Sequence, residues 1–427
     1  MPESIRARGC TTTKDDAALF APTKRLCIPI ERAEYDRILA DPVAFRAHLD
    51  GQIAAHPELF PAAIQHGYHL HSFLPPSRKL PGLRLRRIKL NAPEAEGAVY
   101  SVAPSFVLPS MTGYTEAVEK ALFLRRFGVP FWGLAYVFGH TAPYWERLEL
   151  RLGHNSLVGT TVKHAEDLPR DVLADEKHTR LNGEKAYVAT TVGHECGLGA
   201  SLTLHADAEE LQEAYAHFKT EATNVQATYP PQTVNTDGWS GTQNAWLALF
   251  PNIVLILCFL HGFLKIRDRC KRLKPHFQMI CTRVWDAYHA ASATLFLTKI
   301  GELKAWATQT LEPGPGLEAL LKLCDRAPAY AQASQYPSAY RTSNMLDRQM
   351  DRMDRCFYNA KYFHGHLMTA EYGVRSWALL HNFLPYCPRA KSATTYHSPA
   401  HKLNGFVYHD NWLQNLLVSA SMGGFRH

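Results

Sequence analysis

The chain has 427 residues, enough for two or three domains with sizeable cores. Hydrophobic residues make up 46% and charged residues 20%, an ordinary globular balance that excludes a fibrous or wholly disordered chain. No apolar run reaches the roughly eighteen residues a membrane helix needs. The nearest, Ile253 to Leu264, is interrupted by Cys258, His261 and Gly262.

The first residues carry Arg6, Arg8, Asp15 and Asp16 and no apolar core of the signal-peptide type, and the nine cysteines follow no disulfide framework. A reducing cytoplasm is the expected compartment. Net charge is +7, a moderate basic bias. It gathers in three clusters: Arg78 to Lys89, Lys265 to Lys274, and Arg341 to Arg355, the last mixed with aspartates. Each cluster alone reads as a solvated face; three together point to a polyanionic partner.

Residues 1–30 read as polar and partly disordered, and residues 31–72 as helical pieces at Ala33 to Leu39 and Pro42 to Ile53. Leu83 to Arg86 alternates as a half-exposed strand does, with Ala98 to Leu108 as its partner. Glu116 to Leu152 reads as three helices broken at Gly128-Val129-Pro130 and Gly139, the last capped by Thr141 and carrying Arg147 and Arg151. That pattern fits a helix-turn-helix or a plain three-helix unit.

A different pattern starts near Asp167. Asp171 to Glu176, Lys185 to Thr191 and Gly197 to Leu204 read as strands, with turn chemistry at Asn182-Gly183. Then come a helix from Ala208 to Thr223, a strand from Thr233 to Thr236, a helix from Gln243 to Phe250, a strand from Ile253 to Phe259 and a basic helix from His261 to Leu273. Three meandering strands followed by helix, strand, helix, strand, helix give the RNase H-like order. Residues 275–340 read as a helical insertion, Asn344 to Tyr358 as a charged helix and Met368 to His381 as an apolar-faced one. From Pro388 the chain is loop-rich, with a last amphipathic helix near Asn411 to Ser421.

Asp175 falls near the end of the first of these strands and Asp237 at the end of the fourth. In an RNase H-like sheet the two strands are neighbours, so both carboxylates emerge at one edge. Cleaving or rejoining a phosphodiester requires an activated nucleophilic oxygen and a stabilised leaving oxygen. Two Mg²⁺ ions about 3.5–4 Å apart provide both, and hard cations take hard oxygen ligands. A third acid on a later helix completes such a site.

The run from Asn235 to Trp246, followed by Cys258-Phe-Leu-His261 and Lys265 to Arg269, resembles the second-acid region of Mutator-like and related bacterial insertion-sequence transposases. Those families place a Cys-x-x-His pair just beyond the second catalytic aspartate. Ala174 to His178 resembles their first-acid strand, and Arg341 to Arg348 their third-acid helix. Trp377 to Phe383 and Ser398 to Gly405 resemble a transposase C-terminus. The resemblance spans about residues 80–425. It implies an α/β enzyme with an RNase H-like mixed sheet and a helical insertion, preceded by a small α+β DNA-binding region. The implied divisions are 1–74, 75–165 (DNA binding), 167–385 (catalysis) and a tail, 386–427.

The resemblance further implies that Asp175, Asp237 and Asp347 hold two Mg²⁺ ions, which Mn²⁺ can replace. Arg84, Arg86, Arg87, Arg147 and Arg151 become candidates for contacts to terminal inverted repeats, and Lys265 and Arg348 for holding phosphates. Joining two DNA ends implies a homodimer or larger assembly on DNA, in the cytoplasm at the nucleoid, with no membrane partner. One departure stands out: the family usually has glutamate where this chain has Asp347, and Asp351, Asp354 and Glu371 are alternative third acids.

Plainer readings apply to the same residues. Asp237-Gly238 can be a turn, and Asp347, three residues after Asn344, can be a capping partner. Cys258 and His261 suggest zinc, but Cys270, His276 and Cys281 lack the regular spacing of such a site, so a structural or site-lining role is expected. The rival functions are a transposase-derived DNA-binding protein that no longer cuts, and an RNase H-like nuclease acting on other substrates.

Overall fold

In the computed structural model the described residues are 22–91, 98–271, 273–274 and 276–425. The disorder expected for residues 1–21, and Arg272 of the second basic cluster, lie outside them. No described helix is long and apolar enough to cross a membrane.

Strands β1 (Arg25–Ile28), β2 (Tyr68–Phe73), β3 (Arg86–Leu90) and β4 (Val99–Pro104) form one sheet in the order β1-β4-β3-β2, with β1 parallel to β4 and the other pairs antiparallel. Two helices follow β1: α1 (Arg32–Leu39) and α2 (Pro42–Ala55). Asp41 starts α2 by accepting the Val43 and Ala44 amides, and Pro42 fits the first turn, where no amide is needed. Tyr35, Ile38, Phe45 and Leu49 of these helices share a core with Ile28, Ile88 and Val102. The expected division at 74/75 therefore cuts through a sheet. Residues 25–28, within the stretch read as partly disordered, form a mostly buried strand.

Three helices appear where expected: α3 (Glu119–Arg125), α4 (Phe131–Phe138) and α5 (Ala142–Leu152), followed by the short α6 (Leu157–Thr161). A buried ion pair between Arg125 and Glu149 fastens α3 to α5, while Trp145 donates from its indole nitrogen to the Gly139 carbonyl at 2.9 Å.

The second sheet contains β5 (Asp171–Leu181), β6 (Glu184–Gly193), β7 (Cys196–Thr203), β8 (Thr233–Thr236) and β9 (Val254–Leu257) in the order β7-β6-β5-β8-β9. Asn182 and Gly183, with φ of 53° and 86°, make the tight turn joining β5 to β6. The first three strands are antiparallel, and β5, β8 and β9 run parallel. Helices α7 (Ala208–Val225), α8 (Ser240–Leu249) and α9 (Phe259–Cys270) follow β7, β8 and β9 in turn. Asp207 caps α7 through the Glu209 and Glu210 amides.

The predicted insertion is helical: α10 (His276–Tyr288), α11 (Ala293–Thr310), α12 (Pro315–Asp325) and α13 (Ala327–Ala331). It has its own core, in which Ile280, Phe296, Leu303 and Leu320 surround Phe259 and Ile266 of α9. Then come α14 (Asn344–Tyr358), α15 (Leu367–Phe383), the short α16 (Pro388–Lys391) and α17 (Pro399–Asn404), and α18 (Trp412–Ser419). Every residue of β7 is buried because helices cover both faces. A Cβ at Gly197 would touch Ala378 of α15, whereas one at Gly199 would press on Phe218 of α7.

The C-terminal region is no loose tail. Leu413, Leu416 and Leu417 of α18 share the core of Leu26 and Ile28, the Cys27 amide donates to Ser421 Oγ at 3.1 Å, and Ser421 Oγ donates to the Leu59 carbonyl at 2.7 Å. The central clamp is Arg375 of α15 against Glu221 of α7, at 2.5 Å, with side-chain exposures of 2% and 1%. Arg375 also donates to the Gly153 and Asn155 carbonyls, and Glu221 accepts from Ser156 Oγ and the Val158 amide. Removing one partner strands a charge in the interior. Arg375→Met should lower unfolding free energy by about 3–5 kcal/mol, and adding Glu221→Leu should return part of it, as measured by urea denaturation.

Candidate active site

The parallel ladder of β5 and β8 pairs Asp171 with Thr233, Val172 with Val234 and Leu173 with Asn235. Two residues further along the chain stand Asp175, within β5, and Asp237, just past the end of β8, so one register delivers both acids to the same end of the sheet. Beyond β8 the chain turns sharply: Gly238 has φ of 92°, and Asp237 Oδ1 accepts the Trp239 amide at 2.8 Å. The turn reading of Asp237-Gly238 is thus correct, and it leaves Asp237 half-buried beside Asp175.

Asp175 Oδ1 accepts the Glu176 amide at 2.8 Å. Burial, then the nearby charges of Asp237 and Glu176, raises its carboxyl to about 7. Glu176 accepts from the Tyr215 hydroxyl at 2.6 Å and from Thr242 at 2.8 Å, and burial raises it too. The sequence assigns Glu176 to the end of the first strand and gives it no role of its own. What marks it are the hydroxyls of Tyr215 and Thr242, which only the packing of α7 and α8 brings near.

The third acid comes from the first turn of α14. Asp347 Oδ2 accepts from Ser343 Oγ at 2.9 Å. Ser343, not Asn344, occupies the cap position, so the capping-partner reading fails: the carboxylate is held by a hydroxyl and remains turned to the site. Ligand atoms of Asp175, His261 and Asp347 all lie within 4.8 Å of one another, the one such convergence of His, Cys, Asp or Glu among the described residues. Of the alternatives, two are engaged elsewhere. Asp354 pairs with Lys177 at 3.2 Å, Glu371 lies buried against the Leu202 amide, and Asp351 is exposed one turn beyond Asp347.

Cys258 and His261 line the same place. The Ser343 amide donates to Cys258 Sγ at 3.3 Å, and Ser343 Oγ lies 3.4 Å from His261 Nδ1. Hydrogen bonding to Cys258, then the charges of Asp347 and Asp175, lifts His261 to about 9 against the opposing effect of burial. Burial would raise the Cys258 thiol, but hydrogen bonds from His261 and Ser343 outweigh it and lower it.

The basic candidates divide. Lys265 and Arg348 are exposed near the site, and Arg84, Arg147 and Arg151 are exposed elsewhere. Arg87 is half-buried and bonded to Ser72 Oγ at 2.8 Å. Arg86 is a correction: it is 8% exposed, donates to the Leu39 carbonyl at 2.8 Å and lies over the Phe73 ring, so it serves the fold and is not displayed to a ligand. The predicted strand that carried it also begins later than expected, at Arg86 rather than Leu83. Beside Asp237 opens a cavity of about 450 Å³ lined by Lys265, Arg269, Lys322, Arg326 and Tyr330, between α9 and the insertion.

Compared with known proteins, the chain matches no protein-family model and no curated protein.

A carboxyl that keeps its proton to about pH 7 binds more protons folded than unfolded, so stability falls as pH rises from about 4 through about 7. His261, raised to about 9, adds stability that is present below about 6.5 and lost as pH climbs through about 9. In EDTA at fixed ionic strength the urea midpoint should therefore decline from about pH 5 to about pH 9. Asp175→Asn should flatten the part below about pH 7, and a midpoint that rises over this window contradicts the crowding of these acids.

Proposed function

We propose that the chain is a transposase: a metal-dependent enzyme that cuts DNA at element ends and joins them to target DNA. The observation that carries this reading is the delivery of Asp175 and Asp237 by adjacent parallel strands to a place that Asp347 reaches from a later helix. The sheet order, with three antiparallel strands and two parallel ones beyond β5, agrees with an RNase H-like catalytic domain.

The donor set fits divalent cations. It offers carboxylate oxygens, and burial together with the charge of Asp237 beside Asp175 favours the arrival of positive charge there. Asp175, Asp237 and Asp347 would hold two Mg²⁺ ions, with Mn²⁺ able to substitute. When bound, the ions supply an activated water and Lewis acidity at the phosphodiester. The Glu176 amide orients Asp175, and Ser343 orients Asp347. Exposed Lys265 and Arg348 would hold flanking phosphates, and Arg84, Arg147 and Arg151 would track terminal-repeat DNA through phosphate contacts. Pairing of two DNA ends calls for at least a dimer on DNA. The approach of the shorter Asp347 side chain to Asp175 favours a cutting enzyme over a binding-only derivative.

Purified protein with labelled terminal-repeat DNA and Mg²⁺ or Mn²⁺ should nick the element end. Asp237→Ala should lower the rate by more than about 100-fold, since even outer-shell partners of metals are worth about 10–100-fold. Asp351→Ala and Asp354→Ala should leave the rate within about threefold of wild type. Binding without nicking by the wild type would overturn the cutting reading.

A further inference from the structure

The closest convergence of ligand atoms does not join the three aspartates. It joins two of them, Asp175 and Asp347, to His261. Ligands at about 2.0–2.2 Å from one ion stand roughly 3–4 Å from each other, so atoms within 4.8 Å need to close by only about an ångström. The imidazole is also held in place. His261 sits in the first turn of α9, with Nδ1 3.4 Å from Ser343 Oγ, and Ser343 in turn holds Asp347. Ligating histidines are commonly oriented by such hydrogen bonds to the ring.

We propose that His261 is a metal ligand, forming with Asp175 and Asp347 a mixed nitrogen–oxygen site for one divalent transition ion, for which Mn²⁺ is the probe. The assignment rests on the reading of Asp175 and Asp347 as metal-holding carboxylates, and it goes further in naming the donor that sets ion preference. Mg²⁺ gains little from imidazole, whereas Mn²⁺ accepts both donor types. Asp237, next to Asp175 on the sheet edge, remains available to a second, oxygen-ligated ion. Cys258 is a positioning residue here: it hydrogen-bonds the ring and accepts from the Ser343 amide.

Pulsed electron paramagnetic resonance on the full chain with substoichiometric Mn²⁺ and no DNA tests this directly. The wild type should show nitrogen hyperfine modulation that disappears in His261→Gln. That variant should bind Mn²⁺ about tenfold more weakly and Mg²⁺ within about threefold of wild type. Asp347→Asn, which leaves the imidazole intact, should also lose the nitrogen signal. Mn²⁺ bound by the wild type without nitrogen coupling, coupling that persists in His261→Gln, or no Mn²⁺ binding at all would each overturn the assignment. Because no DNA enters the measurement, a nitrogen-coupled ion in a chain that never nicks DNA would refute the transposase reading and leave the ligand in place.

Discussion

The parallel pairing of β5 with β8 is the constraint on which the site depends. Parallel neighbours cannot be joined by a hairpin, so the chain must leave the sheet and return, and α7 carries it over one face. The returning strand is only four residues long and ends where Gly238 turns. Its brevity puts Asp237 at the rim instead of inside the ladder. β5 is longer and continues its antiparallel pairing with β6, so Asp175 sits on a strand that is fixed on its other side. One acid is anchored by a sheet and the other by a turn, and a one-residue slip between the strands would point one of them away.

The protein treats its buried acids in two ways. Glu221 faces a guanidinium and accepts from a hydroxyl and an amide, so its charge is compensated and it acts as a clamp. Asp175 receives one amide and faces other carboxylates, and burial keeps its proton on to about pH 7. A fold that gives Glu221 three partners could compensate Asp175 equally well. Crowding acids around a histidine at one sheet edge, instead of pairing each with a guanidinium, makes sense where a cation is to arrive from outside.

Much of the second sheet was readable because its signals are local. Asn182-Gly183 fixes a hairpin, Asp237-Gly238 ends a strand, and the helix beginning at Asn344 was placed to the residue. The first sheet was not readable. β1 is a four-residue strand whose partner lies more than seventy positions away, and no local periodicity announces such a pairing. Arg86 was misread for a related reason: a basic run counts charge, but Phe45, Phe73 and the Leu39 carbonyl decide where that charge goes. The role of Ser343 was hidden by its neighbour Asn344, an equally good cap by residue type. The helix starts at Asn344, which puts Ser343 at the cap position with its hydroxyl on Asp347.

The closure of β1 by residues near 421 has a consequence for biosynthesis. The hydrogen bond from Cys27 to Ser421 spans 394 positions, and the Thr23 amide reaches the Met422 carbonyl beside it. A ribosome therefore exposes the first strand long before the residues that seal it have been made. The inner face of the opening sheet must wait until the residues near 421 have emerged. A frameshift or premature stop ahead of Ser421 would then damage β1 along with the residues it removes.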